Sequence, residues 1–245
     1  MCQETGFPLA SFRETGYQSV VIPRVLPFAA YVAFLAIGEG IVWVTRSVPD
    51  LAHWAALANP WLYPVETAVV LGLLLYFWPR YEELKGTVFK SGREALLALA
   101  TGLLVYVAWV RMDWPWAMQG APTGYDPFRG GDEWGAVLAG IRFFGAVIAV
   151  PVMEELFWRS FLLRYLIEHR FETVRLGTLT PFSCLATIML FGLEHHLWLA
   201  GMLAGAAYTF VLHRTGRLWP CILAHASTNL ALGIHVLVTK QWQWW

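Results

Sequence analysis

Residues 150–159, "VPVMEELFWR", place two adjacent carboxylates and an arginine in a stretch that is otherwise apolar. Glu155 and Arg159 are four residues apart with the acid first, which is the favourable order for an ion pair on one face of a helix. Glu154 is turned about 100° from Glu155 and cannot easily share Arg159. A carboxylate that is left unpaired, with water in front of it, can act as a general base.

Two further segments carry polar side chains of the same kind. "FGLEHH" (191–196) places Phe191 and His195 four apart, and "HASTN" (225–229) places His225 and Asn229 four apart. Both segments are predicted to lie in apolar helices. Ionisable residues within membrane helices are rare and usually face the interior of the bundle. The three segments together therefore predict one inward-facing set of a carboxylate, two imidazoles and a carboxamide.

The composition is that of a membrane protein. Of the 245 residues, 58% are hydrophobic and only 14% are charged, against about a quarter in soluble domains. The mean hydropathy is +0.52. A formal net charge of +0 gives no global field that would attract nucleic acid. Cys2, Cys184 and Cys221 are far apart and predict neither a disulfide framework nor a cysteine-rich zinc site, and residues 1–20 lack the apolar core of a cleavable signal peptide.

The apolar segments predict an all-α fold, a polytopic membrane helix bundle of about seven to eight transmembrane helices that forms one membrane domain over residues 1–245. Each crossing needs about 20 apolar residues. The candidate crossings are 24–45, 62–79, 95–111, 134–168, 180–197, 198–213 and 218–238. The fourth is too long for one straight crossing, and we expect Pro151 to kink it or divide it into two helices. The fifth and sixth should form a tight hairpin, and the terminal "QWQWW" is interpreted as an interfacial anchor, with a recognition tail as the alternative.

The placement of lysine and arginine predicts a cytoplasmic N-terminus, because loops on that side carry an excess of these residues. With seven crossings, the residues expected inside are Arg13, Arg24, Arg80, Lys85, Lys90, Arg93, Arg170, Arg175, Arg214 and Arg217. Those expected outside are Arg46, Arg129 and Lys240. We therefore expect a multi-pass membrane protein with its N-terminus in the cytoplasm.

The three polar segments also resemble a known family. "EELFWR" resembles the EExxxR motif of the CPBP family, which includes the type II CAAX prenyl endopeptidases, "FGLEH" its FxxxH motif and "HASTN" its HxxxN motif. The motifs occur in the family's order, and the resemblance covers residues 134–238, which would be the catalytic core. The wider stretches are similar to a bacterial subgroup found beside exosortases and PEP-CTERM sorting signals. Glu194 and His196 depart from the pattern, because an apolar or small residue is expected before the motif histidine.

The resemblance implies an intramembrane endopeptidase that cleaves a membrane-anchored protein or peptide near a C-terminal signal. By position, Glu154 would activate water, His195 would share that water, and His225 and Asn229 would stabilise the oxyanion. Glu155, Arg159 and Phe191 would support the site. The cofactor is left open between none and zinc, which Glu154, His195 and His225 would ligate. The resemblance also implies membrane lipids and an exosortase-type sorting system as partners, and a bacterial inner membrane as the location.

Two other functions remain open on the residues alone. A membrane scaffold or binding protein could keep these motifs for packing, and a proton-coupled transporter could use Glu, His and Arg as a relay. No inverted repeat of the kind found in transporters is visible in the sequence. A scaffold should tolerate Glu154→Gln, whereas a protease should lose its activity.

Overall fold

The computed structural model describes residues 9–120, 124–129 and 132–245. Residues 1–8, 121–123 and 130–131 lie outside the described residues. They include Cys2 and part of the segment searched for a signal peptide. Within the described ranges the chain is helical and has no strand. The expected all-α membrane bundle is therefore confirmed.

The helices follow the apolar segments. They are α1 (Leu9–Ser47), α2 (Ala52–Phe77), α3 (Gly92–Trp109), α4 (Asp132–Phe144), α5 (Val150–Glu155), α6 (Leu163–Tyr165), α7 (Pro181–Leu193), α8 (Trp198–Thr215) and α9 (Leu218–Thr239). The bundle is built mainly from the antiparallel pairs α1–α2 and α7–α8 and from the packing of α3 against α9.

Five helical segments of the described chain are long and apolar enough to cross a membrane. They are Gln18–Ser47, Asn59–Arg80, Gly92–Trp109, Glu133–Tyr165 and Leu218–Thr239. Large apolar side chains on these helices point outwards: Leu75 and Leu104 remain about 70% exposed. An apolar surface of this extent on several neighbouring helices fits lipid rather than water.

Residues 132–165 form one continuous helical rod, named the motif helix here because it carries the EExxxR motif. Two π-helical turns, Gly145–Ala149 and Leu156–Leu162, separate α4, α5 and α6. Pro151 lies just after the first π turn and lacks the N–H that an α-helix would use. The proline thus widens the helix, and the alternative of two separate helices is wrong.

The hairpin of α7 and α8 is tighter and shorter than the sequence suggested. Thr180 and Ser183 form a capping box at the start of α7, and the helix ends at Leu193. Its 13 residues rise only about 20 Å, less than the thickness of the hydrocarbon core. Gly192 allows the close approach, because a Cβ there would lie 2.3 Å from Met202 Cγ. The prediction of a helix to residue 197 was wrong, and His195 lies in the bend between the two helices.

A buried polar cluster fixes the far end of the motif helix. Arg24 Nε and Nη2 donate to the two carboxylate oxygens of Glu83, over 2.8 and 2.5 Å. The Ser160 hydroxyl donates to Glu83, and Arg164 Nη2 donates to Ser160 Oγ over 2.8 Å. The cluster joins α1, the loop between α2 and α3, and the motif helix, so it fixes the axial position of that helix.

Candidate functional site

The Glu155–Arg159 ion pair lies at the centre of the site. Arg159 Nη1 donates to Glu155 Oε1 over 3.0 Å, and both side chains are fully buried. Arg159 also donates to the Gly205 carbonyl on α8 over 3.3 Å, and its guanidinium lies 4.3 Å from the centre of the Phe191 ring. The predicted pair is therefore present, and Arg159 connects the motif helix to α7 and α8.

The neighbouring Glu154 points into a cavity of about 160 Å³. Its side chain is 3% exposed, and Oε2 has no hydrogen-bond partner among the described residues. His195, His225 and Asn229 line the same cavity. A water molecule needs about 10–15 Å³ of such space and two or more polar partners. The cavity therefore has room for several waters in front of an unsatisfied carboxylate.

His195 reaches this cavity although it lies beyond the end of α7. Its Nδ1 is 2.7 Å from the Phe191 carbonyl oxygen, which turns the ring back along the helix. Because a carbonyl oxygen only accepts, Nδ1 carries a hydrogen, and Nε2 is left to interact with water. The ring of Phe191 lies 4.8 Å from that of His195 and 6.2 Å from that of His225. The short α7 thus brings the bend that follows it and α9 to one site.

His225 is held by the ion pair rather than by Glu154. Its Nδ1 lies 3.1 Å from Glu155 Oε1, and its ring stacks on Tyr208 with centroids 4.9 Å apart. Glu155 accepts from Arg159 as well, so Nδ1 of His225 is the donor in this contact. Glu155 therefore orients an imidazole of the site, beyond its expected role of supporting the helix.

Asn229 is positioned by the π turn of the motif helix. Its Nδ2 donates to the Ala146 carbonyl over 2.8 Å. The amide of Val150 donates to Gly145 instead, and Pro151 has no amide hydrogen to offer Ala146. Asn229 satisfies the carbonyl that the proline leaves free. One of its two amide hydrogens remains for another acceptor.

Sequence reasoning missed three further contributors to the cavity. Arg142 lines it from α4, and Trp244 and Trp245 line it from the tail, which was expected to be an interfacial anchor. The Trp245 carbonyl accepts from the Tyr125 amide over 3.2 Å, so the tail is tied to the 124–129 segment. Arg142 follows the spacing Arg142, Ala146, Val150, Glu154 along one helix face, a signal that the sequence did contain.

Glu194 and His196, the two departures from the family pattern, have different surroundings. Both carboxylate oxygens of Glu194 are buried, the Trp158 side chain is near enough to interact with them, and Glu194 is within electrostatic range of Glu154. His196 Nδ1 instead contacts the Gln119 carbonyl outside the cavity. Glu194 thus lies near the site, whereas His196 helps to attach the loop after α3.

The three residues considered for zinc do not converge as a metal site. Within residues 9–120, 124–129 and 132–245, no group of three or more His, Cys, Asp or Glu side chains is placed to hold a metal ion. The Nδ1 atoms of His225 and His195 are used in protein hydrogen bonds, so Nε2 is the ring nitrogen of each that is left for a further contact. We therefore derive the chemistry of the site from the side chains alone.

Comparison with known proteins agrees with the geometry. Residues 136–231 match the family model described as type II CAAX prenyl endopeptidase Rce1-like. The match covers less than half of the chain and includes all three motifs. No curated protein and no solved structure matches the chain. Residues 136–231 are therefore similar to the Rce1-like type II CAAX prenyl endopeptidases.

Proposed function

We propose that this protein is an intramembrane endopeptidase in which Glu154 and His195 activate the water that hydrolyses a peptide bond. The main observation in support is that Glu154 Oε2 is buried and has no hydrogen-bond partner among the described residues. It lies on a cavity that His195, His225 and Asn229 also line. A carboxylate in that position has a cost in folding free energy that packing does not offset. Use as a catalytic base accounts for it.

The attacking water needs two acceptors and a carbonyl carbon in front of it. Glu154 accepts one water hydrogen and the free Nε2 of His195 accepts the other, which leaves a lone pair on the oxygen for attack. As the C–O bond forms, the first proton passes to Glu154. Glu154 then delivers it to the leaving amine, so that one carboxyl group serves as base and then as acid.

The oxyanion that forms in this step needs hydrogen-bond donors. Asn229 has one amide hydrogen left after donating to Ala146. His225 can donate from Nε2 when it carries a second proton, and the Glu155 carboxylate at 3.1 Å from Nδ1 compensates that charge. Glu155 thus acts on the oxyanion through His225.

The substrate class follows from where the cavity lies. A site enclosed by membrane helices favours a membrane-anchored protein, cut near a C-terminal signal. The host membrane would be a bacterial inner membrane, with the N-terminus of this chain in the cytoplasm and an exosortase-type sorting system supplying substrates. The resemblance of the motif regions supports these finer assignments, and the excess of lysine and arginine in alternate loops supports the orientation.

The experiment compares new protein termini in membranes that contain the full chain. Wild type, Glu154→Gln and Glu168→Gln are reconstituted into vesicles with a bacterial membrane-protein fraction, and termini are mapped by mass spectrometry. Glu168 is an exposed acid outside the cavity and serves as the matched control. We expect cleavage by wild type and Glu168→Gln that persists after prolonged chelation. Equal cleavage patterns with and without Glu154 would refute the proposal and favour a scaffold.

A further inference from the structure

Arg142 is partly buried, and its surroundings are unlike those of the three buried arginines. Arg24, Arg159 and Arg164 each donate to a carboxylate, a hydroxyl or a carbonyl. The Arg142 guanidinium instead lies over the Tyr63 ring, with Cζ 4.1 Å from its centroid, and 5.8 Å from that of Tyr125. Its Nε is buried and has no hydrogen-bond partner among the described residues. An arginine fork that is held by aromatic rings keeps its donors free.

No carboxylate in the described part of the chain forms an ion pair with Arg142. Glu66 on α2 is buried and within electrostatic range, which lowers the cost of placing the arginine there, but it makes no direct contact. Glu66 therefore compensates the charge of the guanidinium at a distance, and the guanidinium donates no hydrogen bond to any residue that the structure describes.

The position of Arg142 relative to the proposed base is fixed by one helix. Arg142, Ala146, Val150 and Glu154 recur every four residues, and all four line the cavity. Among the described side chains that line the cavity, those of Arg142 and Glu154 are the two that carry a formal charge, with opposite signs. Ala146 and Val150 form a short apolar floor between them.

We propose that Arg142 binds a carboxylate of the substrate peptide, while the peptide bond to be cut lies against Glu154. This inference rests on the proposed function and adds a recognition group to it. Twelve positions separate the two residues, a rise of about 18 Å on a helix. An extended chain covers about 3.3 Å per residue, so the cut lies within about five residues of the bound carboxylate. The carboxylate is either the C-terminus of the substrate or an acidic side chain near the cut.

The test measures binding and does not depend on cleavage. Three sets of acetylated apolar pentapeptides are compared on the full chain in detergent: free C-terminal acids, the same peptides as amides, and amides with one Asp. Binding is followed by microscale thermophoresis for wild type, Arg142→Gln, Arg142→Lys and Arg111→Gln. Arg111 is an exposed arginine after α3 and serves as the matched control.

Charge-assisted hydrogen bonds of this type correspond to about a tenfold to hundredfold preference in affinity. We expect wild type and Arg111→Gln to prefer a carboxylate by that factor, Arg142→Lys to keep part of the preference, and Arg142→Gln to lose it. Tighter binding of the acids identifies the C-terminus as the source, and tighter binding of the Asp amides identifies a side chain. Both results support the site.

Three results would overturn the inference: no measurable binding of any set, equal affinity of wild type for acids and amides, or a preference that survives in Arg142→Gln. These are distinct from failure of the proposed function. If binding depends on Arg142 but no protein is cleaved in a Glu154-dependent way, the recognition site stands and the protease proposal fails. If cleavage depends on Glu154 but not on a carboxylate, the recognition site alone fails.

Discussion

Removal of Arg159 should destabilise the fold far more than removal of a surface arginine. In Arg159→Ala the Glu155 carboxylate remains fully buried. Among the described residues, the His225 imidazole is then the side chain left to donate a hydrogen bond to it. Breaking a buried pair in this way typically costs about 3–5 kcal/mol. The lost contact with the Phe191 ring, 4.3 Å from the guanidinium, adds about 1–2 kcal/mol. We expect a loss of about 4–7 kcal/mol in the free energy of unfolding.

The matched control is Arg170→Ala. Arg170 pairs with Glu172 on the surface, with 73% of its side chain exposed. Such pairs contribute about 0–1 kcal/mol. Both variants are unfolded by denaturant in the same detergent micelles and followed by circular dichroism. If Arg159→Ala proves as stable as Arg170→Ala, the ion pair does not hold the helices together, and the reasoning about buried charge at this site is wrong.

Three other outcomes are expected. Burial alone would raise the pKa of the Glu83 carboxyl, but Arg24 and the Ser160 hydroxyl outweigh this and hold the pKa below its ordinary value of 4.5. The stabilisation of the fold by the ionised Glu83 carboxylate is therefore complete above pH 4.5 and is lost as the pH falls through the lowered pKa. In Glu83→Gln the free energy of unfolding should depend less on pH in this acidic range, and an unchanged dependence would contradict the reasoning. Pro151→Ala gains a backbone amide that competes with Asn229 for the Ala146 carbonyl, so this variant should cleave more slowly. The double variant with Asn229→Ala should cleave as fast as Asn229→Ala alone, and additive losses in rate would contradict the shared role. A reporter fused after Arg93 should read cytoplasmic, and a periplasmic signal would reverse the orientation.

Much of the fold could be predicted because hydropathy and helical spacing are local properties. The apolar runs marked the helices, and the offset of four between Glu155 and Arg159 identified the ion pair, since both depend on residues close in sequence. The end of α7 at Leu193 was not visible, because "FGLEHHLWLAG" continues the apolar pattern through the bend. Pro151 signalled a disturbance in the helix, but not its form as a π turn.

The remaining parts of the candidate site depend on contacts that are distant in the chain. The bond from Asn229 to Ala146 spans 83 residues, and that from His225 to Glu155 spans 70. Neither could be assigned from spacing within one helix. Arg142 was assigned no role in the sequence, because its lack of a charged partner is visible only once the helices are packed.

The rate of peptide-bond cleavage by Glu154→Gln tests the central claim most directly. On one substrate identified by terminus mapping, kcat/KM is measured for this variant and for wild type, together with the unfolding temperature of each. Glutamine keeps the shape of the side chain but cannot take a proton, so we expect a fall of at least about 10²–10⁴-fold with no loss of thermal stability. A Glu154→Gln variant that cleaves within about threefold of the wild-type rate would contradict the assignment of Glu154 as the base.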